Sequence, residues 1–237
     1  MEWWQIYKTN GKIPKYLLPL GNGTIMSKIL SEFTRDDGNY DFYFIANRND
    51  QIFYPILSSI LKSYNISTSK ILYIDDTVSQ IETALYAAEL MPKIKLDAPV
   101  CFANIDTVVK NRKTFFKKVS HAKHTGAILD TFPGNDPKNS YVHSLDAYLV
   151  KEVVDQNIIS TSACSGLYGF GSFKQMHDTS TQVLKDEPTA NFTYLYNYLI
   201  NKGVPVEHFL SRDPRDTIVL GTPEEYVINI HRFEQWN

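Results

Sequence analysis

Cysteine is scarce in this chain, and no long apolar run interrupts it. Cys101 and Cys164 are its two cysteines in 237 residues. Both stand in apolar, strand-like surroundings, which reads as buried free thiols in a reducing cytoplasm and argues against metal or nucleophile roles. No stretch of about 18 apolar residues is present to cross a bilayer. Met1-Glu2-Trp3-Trp4-Gln5-Ile6-Tyr7-Lys8 lacks the basic-then-apolar order of a signal peptide. Excess charge is missing too: the formal balance is −2, too small for a general nucleic-acid or anionic-membrane binder. Internal repeats, low-complexity tracts and linkers are likewise absent. What remains is a chain with 43% hydrophobic residues, enough for one sizeable core. One mixed α/β domain in the cytoplasm, without nucleic-acid or membrane partners, is the expectation, and self-association is left open.

Lys12 to Leu20 carries Pro14 and Pro19, which favour an extended segment. Gly21-Asn22-Gly23 makes a tight turn, and Thr24 can cap an amphipathic helix running to Phe33. Tyr40 to Ala46 reads as a strand. Ile52 to Tyr64 has helical spacing, with Ile52, Ile56, Leu57, Ile60 and Leu61 on one face. Lys70 to Asp75 is a short strand. Val78 or Ser79 to Met91 is a helix expected to turn Ile81, Leu85, Ala88 and Leu90 inward, closed by Pro92. Val100 to Ile105 follows as a strand buried on both faces. Strand–helix–strand–helix–strand implies right-handed crossovers and a mainly parallel, mixed central sheet flanked by helices. Further on, Gly126–Leu129, Ala147–Val154, Ala163–Phe170, Val204–Leu210 and Thr217–Leu220 read as strands. Phe192–Asn201 is a helix stopped by Gly203, and Pro223 opens a last helix.

The strand over 100–105 ends on Asp106 and Thr107. Ligands of open α/β sheets gather at the carboxyl ends of strands, so this acid can hold a hard cation and its phosphates. It can equally cap the turn that follows. Lys15 is a solvated loop lysine or a fixed cation for phosphate. Gly166 is a candidate bulge glycine, and Gln80, Thr83 and Glu187 are candidate helix-start residues. His121-x-x-His124 has no third ligand at useful spacing and reads as a solvated face. Asp213-Pro214-Arg215-Asp216 is a charged turn.

Several pieces in this order resemble the sugar-phosphate nucleotidyltransferases. They are Pro14-Lys15-Tyr16-Leu17-Leu18-Pro19-Leu20, Ser79-Gln80-Ile81-Glu82-Thr83, Asn104-Ile105-Asp106-Thr107, Ser165-Gly166-Leu167-Tyr168 and Leu220-Gly221-Thr222-Pro223-Glu224-Glu225. Asp186-Glu187 and Leu195-Tyr196-Asn197 are similar to segments of bacterial capsule-biosynthesis members. The resemblance implies a Rossmann-like, GT-A type fold, with a nucleotide-binding half to about residue 110 and an acceptor-binding half beyond. It implies transfer of a nucleoside monophosphate from a nucleoside triphosphate to a small phosphorylated acceptor. Lys15 would meet phosphate, and Asp106 would hold Mg²⁺. Gln80, Thr83 and Asn104 would lie at the nucleotide, and Gly166, Tyr168 and Glu187 at the acceptor.

Two departures accompany it. The family's first strand and its glycine-rich triphosphate loop have no counterpart before Tyr7, so the expectation is a start internal to a longer product, little transfer by this form, and N-terminal aromatics covering part of the gap. Val219 stands where many members carry a second metal aspartate. The competing readings are a GT-A glycosyltransferase using Asp75-Asp76 or Asp106, and a non-catalytic nucleotide-binding homologue.

Overall fold

The computed structural model of the chain describes residues 13–34, 40–91, 94–122 and 126–234. The N-terminal aromatics, Pro92 and His124 lie outside them. The first described elements are the short pair β1 (Pro19–Leu20) and β2 (Gly23–Thr24), then helix α1 (Ile25–Thr34). Strand β3 (Phe44–Asn47), helix α2 (Tyr54–Ser63), strand β4 (Ile71–Ile74) and helix α3 (Gln80–Leu90) follow. Next come strands β5 (Val100–Ala103) and β6 (Thr107–Val109), then helix α4 (Lys113–His121). Strands β7 (Ala127–Pro133), β8 (Tyr141–Ser144), β9 (Val150–Val154) and β10 (Ser162–Phe170) precede helices α5 (Phe173–Asp186) and α6 (Phe192–Asn201). Strands β11 (Val206–Leu210) and β12 (Thr217–Val219) and helix α7 (Pro223–Glu234) finish the chain.

The class is mixed α/β, as expected. The main sheet has the order β11-β7-β10-β8-β9, with β5 also on β10. Strand β10 is its axis: β7 runs along one edge, while β8 and β5 share the other. Parallel pairing among the described residues is confined to β3 with β4 and β7 with β11. Strand β5 is shorter than the expected run, half-buried, and antiparallel to β10. An apolar run alone does not distinguish these cases from a doubly buried parallel strand.

Local chemistry explains the helices. Helix α1 buries Ile25, Met26, Ile29, Leu30 and Phe33, a stripe of helical period. Helix α3 opens on a capping box: the Ser79 hydroxyl accepts from Glu82 N, and the Glu82 carboxylate accepts from Val78 N. Its buried face is Ile81, Ala84 and Ala87, while Leu90, expected inside, is exposed. Helix α2 starts two residues later than its apolar spacing suggests. Asn47 caps a 3₁₀ segment, Arg48–Phe53, ahead of it, which leaves Ile52 and Ile56 in solvent and Leu57 and Leu61 inside. Helix α5 was not legible, because Thr179 and Ser180 break its buried stripe of Phe173, Met176 and Val183.

Four apolar clusters occur among the described residues, the smallest around Phe132, Tyr141 and Ala163. The largest lies between the main sheet and α3, α5 and α6, around Phe170, Phe192 and Tyr196. A second joins α1, α4 and α7 to β6 and β12. A third packs α1 and α2 on β3 and β4. Edge strand β9 is closed by a side chain: Asn197 of α6 accepts from Val153 N at 2.9 Å and donates to Val153 O at 2.7 Å. The amide imitates a neighbouring strand, one of the ways an exposed edge is blunted.

Asn197→Ala removes both bonds from the β9 backbone, and urea unfolding should show a loss of about 1–3 kcal/mol; an unchanged midpoint would contradict the clamp. His208 is buried between the hydroxyls of Thr131 (3.1 Å) and Ser144 (2.9 Å). Burial, and then the Lys118 charge, hold it below its ordinary value of 6.5, with Asp146 opposing. The unfolded chain therefore takes up this proton first. The imidazole's contribution to stability is complete above about 6.5 and is lost as pH falls below it. Melting temperatures from pH 7.5 to 5.5 should fall less for His208→Gln than for the wild type.

Candidate functional site

A cleft of about 310 Å³ opens where β5, β6, β10 and β12 meet the starts of α3, α6 and α7. Gln80, Asn104, Asp106, Gly166 and Tyr168 line it. Lys15 joins them through Asp106: its ammonium lies 2.5 Å from Asp106 Oδ2. Residues separated by 91 positions thus form one ion pair, with one-third of the lysine side chain exposed and 18% of the carboxylate's. Thr83 and Glu187 are not part of the lining. Thr83 Oγ1 is committed to Ser79 O and Thr77 Oγ1 inside the first turn of α3, and exposed Glu187 terminates α5. The larger hollow, about 550 Å³ between β9 and α6, gathers none of the predicted residues.

Each wall has a local cause. Lys15 starts a 3₁₀ turn anchored by buried Tyr16 and Leu17, and Tyr16 donates to Asp50 at 2.6 Å. Asp106 sits in the turn between β5 and β6, and its carbonyl accepts from Leu220 N at 2.7 Å. Gly166 has φ +87°, the left-handed region. A Cβ there would stand 2.8 Å from Asn104 Nδ2, while Asn104 N donates to Gly166 O at 2.9 Å. Gly166 is both a bulge residue and part of the lining.

The sequence reading missed the far wall. Asp155, just past the end of β9, accepts from Ser140 Oγ at 2.6 Å and Asn191 Nδ2 at 2.9 Å. It is a carboxylate at a strand end, the same signal that singled out Asp106. Glu225 faces Asp106 across Gly221, whose would-be Cβ is 3.3 Å from a carboxylate oxygen of each. Glu225 also closes the capping box of α7 with Thr222, at 2.7 and 3.2 Å. Lys138 is the cation of this lining, and the Glu224 carboxylate beside it raises its pKa. Counting Lys15, three carboxylates (Asp106, Asp155 and Glu225) against two ammoniums leave the cleft acidic.

Asp106 would supply a hard divalent cation with one oxygen ligand. Val219, paired across from Thr107, supplies no second ligand. No group of three or more His, Cys, Asp or Glu able to hold a metal occurs among the described residues. Asp75 and Asp76 are engaged by Arg48 (2.7 Å) and Asn47 (2.6 Å) at the ends of β3 and β4, outside this lining. The Arg48 contact lowers the Asp75 pKa. Both cysteines are free, and burial pushes the Cys101 thiol up to about 12 and Cys164 up as well. Thiolate chemistry is thereby disfavoured.

Behind the cleft lies a buried charge pair. Arg112 Nε is 2.7 Å from Asp130 Oδ1 and 2.8 Å from Oδ2, both side chains being 2% exposed or less. The directed bond goes to Oδ2, and Oδ1 has no hydrogen bond of its own. Burial raises the Asp130 pKa, while the guanidinium and the Ser165 hydroxyl oppose the rise.

The architecture so defined is a nucleotidyltransferase-like, Rossmann-type α/β fold. It is similar to a nucleoside-diphosphate-sugar pyrophosphorylase from Vibrio cholerae RC9, with TM-score 0.82 and 21% identity over 97% of this chain and 96% of that one. It is also similar to the inositol-1-phosphate CTP transferase of T. maritima, with TM-score 0.69 and 8% identity over 96% and 90% of the chains. A UDP-glucose pyrophosphorylase complexed with UDP-glucose matches with TM-score 0.70 and 14% identity over 100% and 95%. At these identities the likeness establishes the fold. No protein-family model and no curated protein matches the sequence. No helix among the described residues is long and apolar enough to cross a membrane.

Gly166→Ala forces a side chain into the left-handed region and against Asn104, at a cost of about 1–3 kcal/mol. Thermal denaturation should show the loss, and a variant as stable as the wild type would mean that Asn104 yields freely.

Proposed function

We propose that this cleft carries out nucleotidyl transfer from a nucleoside triphosphate to a sugar phosphate or similar small phosphorylated acceptor. The observation that carries the reading is the Lys15–Asp106 pair, an ammonium and a carboxylate brought together at a polar cleft just past the carboxyl end of β5. The similar structures, a nucleoside-diphosphate-sugar pyrophosphorylase and a UDP-glucose pyrophosphorylase, support it. A role in capsule or surface-polysaccharide precursor synthesis is the finer part, supported by the sequence resemblance.

In the proposed reaction an acceptor phosphate oxygen attacks the α-phosphorus, the bond to the bridging oxygen breaks, and pyrophosphate leaves. The protein's work is alignment and charge neutralisation. Lys15 is a mobile point charge. A phosphate oxygen entering the cleft competes with Asp106 for its ammonium. Asp106 would hold Mg²⁺, which would supply positive charge to offset that of the phosphates. Gln80, at the first turn of α3, offers both donor and acceptor to a base. Gly166 lets a ligand approach the backbone of β10, and Tyr168 lines the same cleft. Asp155, oriented by Ser140 and Asn191, takes the role foreseen for Glu187, accepting hydrogen bonds from acceptor hydroxyls.

The test is product analysis with a panel of nucleoside triphosphates and sugar 1-phosphates. Pyrophosphate should appear, at a low rate in keeping with the little transfer expected of this form, and Lys15→Met and Asp106→Asn should each lower kcat/KM by about 10²-fold. Nucleoside diphosphate released from a nucleotide-sugar would replace this reading with glycosyl transfer. Calorimetric binding without turnover would replace it with a non-catalytic homologue.

A further inference from the structure

Strand β10 does not run evenly along β7. Cys164 pairs with Thr131 and Tyr168 with Leu129. Four steps on β10 therefore match two on β7, and Ser165, Gly166 and Leu167 all stand against one residue, Asp130. This is a bulge, and bulges re-aim side chains beside functional sites. It decides which part of β10 enters the cleft. On its N-terminal side β10 pairs with β8, and beyond it with β5. Gly166, at its centre, lines the cleft and accepts from Asn104 N.

Asp130 is held from two sides. Ser165 Oγ donates to Asp130 Oδ2 at 2.5 Å, and Leu167 N donates to Ser165 Oγ at 3.4 Å, so the hydroxyl sits inside the bulge. Arg112 binds the same carboxylate and spends its other donors on Lys110 O (2.5 Å) and Thr217 Oγ1 (2.6 Å). Thr217 opens β12, the strand that leads to Val219 and Gly221 in the cleft and sends Leu220 N to Asp106 O. Asn111, with φ +57°, precedes Arg112 and donates to Asp216 Oδ1 at 3.1 Å. One guanidinium therefore spans the bulge of β10 and the root of β12.

We infer that Arg112, Asp130 and Ser165 are positioning residues of the cleft: they lock the β10 bulge and tie it to β12, setting where Gly166 and Asp106 stand relative to each other. Filling the core does not require them. A buried ion pair is often matched or bettered in stability by apolar residues of similar volume. What apolar residues lack is direction, which the planar guanidinium supplies by aiming its donors at three separate acceptors. Ser165 and Gly166 both line the cleft, and a shift of the bulge by one residue would change the face that each presents to it.

The experiment pairs Arg112→Met with Asp130→Leu, removing both charges together, and reads three quantities. Melting temperature should stay near that of the wild type or rise. Hydrogen exchange at the Asn104 amide, protected by Gly166 O, should quicken by about tenfold or more, with the Val206–Leu210 ladder unchanged. Affinity for a nucleotide-sugar, UDP-glucose being the first probe, should fall by a similar factor. This last readout rests on the nucleotidyl-transfer reading above. A double variant that melts like the wild type and keeps Asn104 exchange within about twofold overturns the inference, since the pair is then filling only. If the wild type binds no nucleotide-sugar but Asn104 exchange quickens, the functional reading fails and the positioning role stands. Should the double variant not fold, Ser165→Ala, which removes one donor, is judged by the same exchange criterion, and Ser165→Thr should restore it.

Discussion

One buried guanidinium connects parts of the chain that sequence keeps far apart. Arg112 reaches 18 residues ahead to Asp130 and 105 ahead to Thr217. Placing a charge there is costly, and the cost is offset only while every donor finds its acceptor. Such an arrangement has few alternatives: a slipped strand would strand a charge in the core. The register of β7, β10 and β12 is thereby specified more sharply than apolar packing would specify it. The cleft, lined in part by residues of β10 and β12, inherits that definition.

The elements legible in the sequence were those whose signal is local. Helix α6 was expected at its observed limits, because Asn191 caps it and Gly203 ends it with a positive φ. Helix α7 was announced by Pro223 behind a threonine cap. Where the outcome turned on partners distant in sequence, the reading failed. The apolar run at 100–105 looked identical whether its neighbour ran parallel or antiparallel, and β8 was invisible because Tyr141-Val142-His143-Ser144 has little pattern of its own. Ile52 and Ile56 fit a helical stripe, yet the Asn47 cap ahead of them changed the helix phase.

The site divides in the same manner. Asp106 and Lys15 were recognisable, one as a carboxylate ending a strand and the other through a proline-flanked motif, and the fold brings them together. Asp155 carried the same strand-end signal as Asp106 but belonged to no recognised motif. Glu225 was read as part of a turn, and its approach to Asp106 depends on a glycine at 221 and on the β6–β12 ladder. Thr83 and Glu187 belonged to the resembling segments, yet local hydrogen bonding and helix termination account for them here. The lining's surplus of carboxylates means that a phosphate ligand must be met by Lys15 and Lys138 or arrive with its own counter-charge.

The Tyr226 hydroxyl donates to Pro19 O across 207 positions, and Phe233 packs against Gly21 and beneath the Lys28 ammonium. Synthesis on the ribosome proceeds from the amino end, so the segment bearing Lys15 emerges before α7. The Leu18, Leu20 and Ile25 cluster needs Tyr226 and Phe233 to be sealed. Lys15 is thus translated among the first described residues and seated among the last, and nascent chains carry an unfinished cleft until α7 has been made.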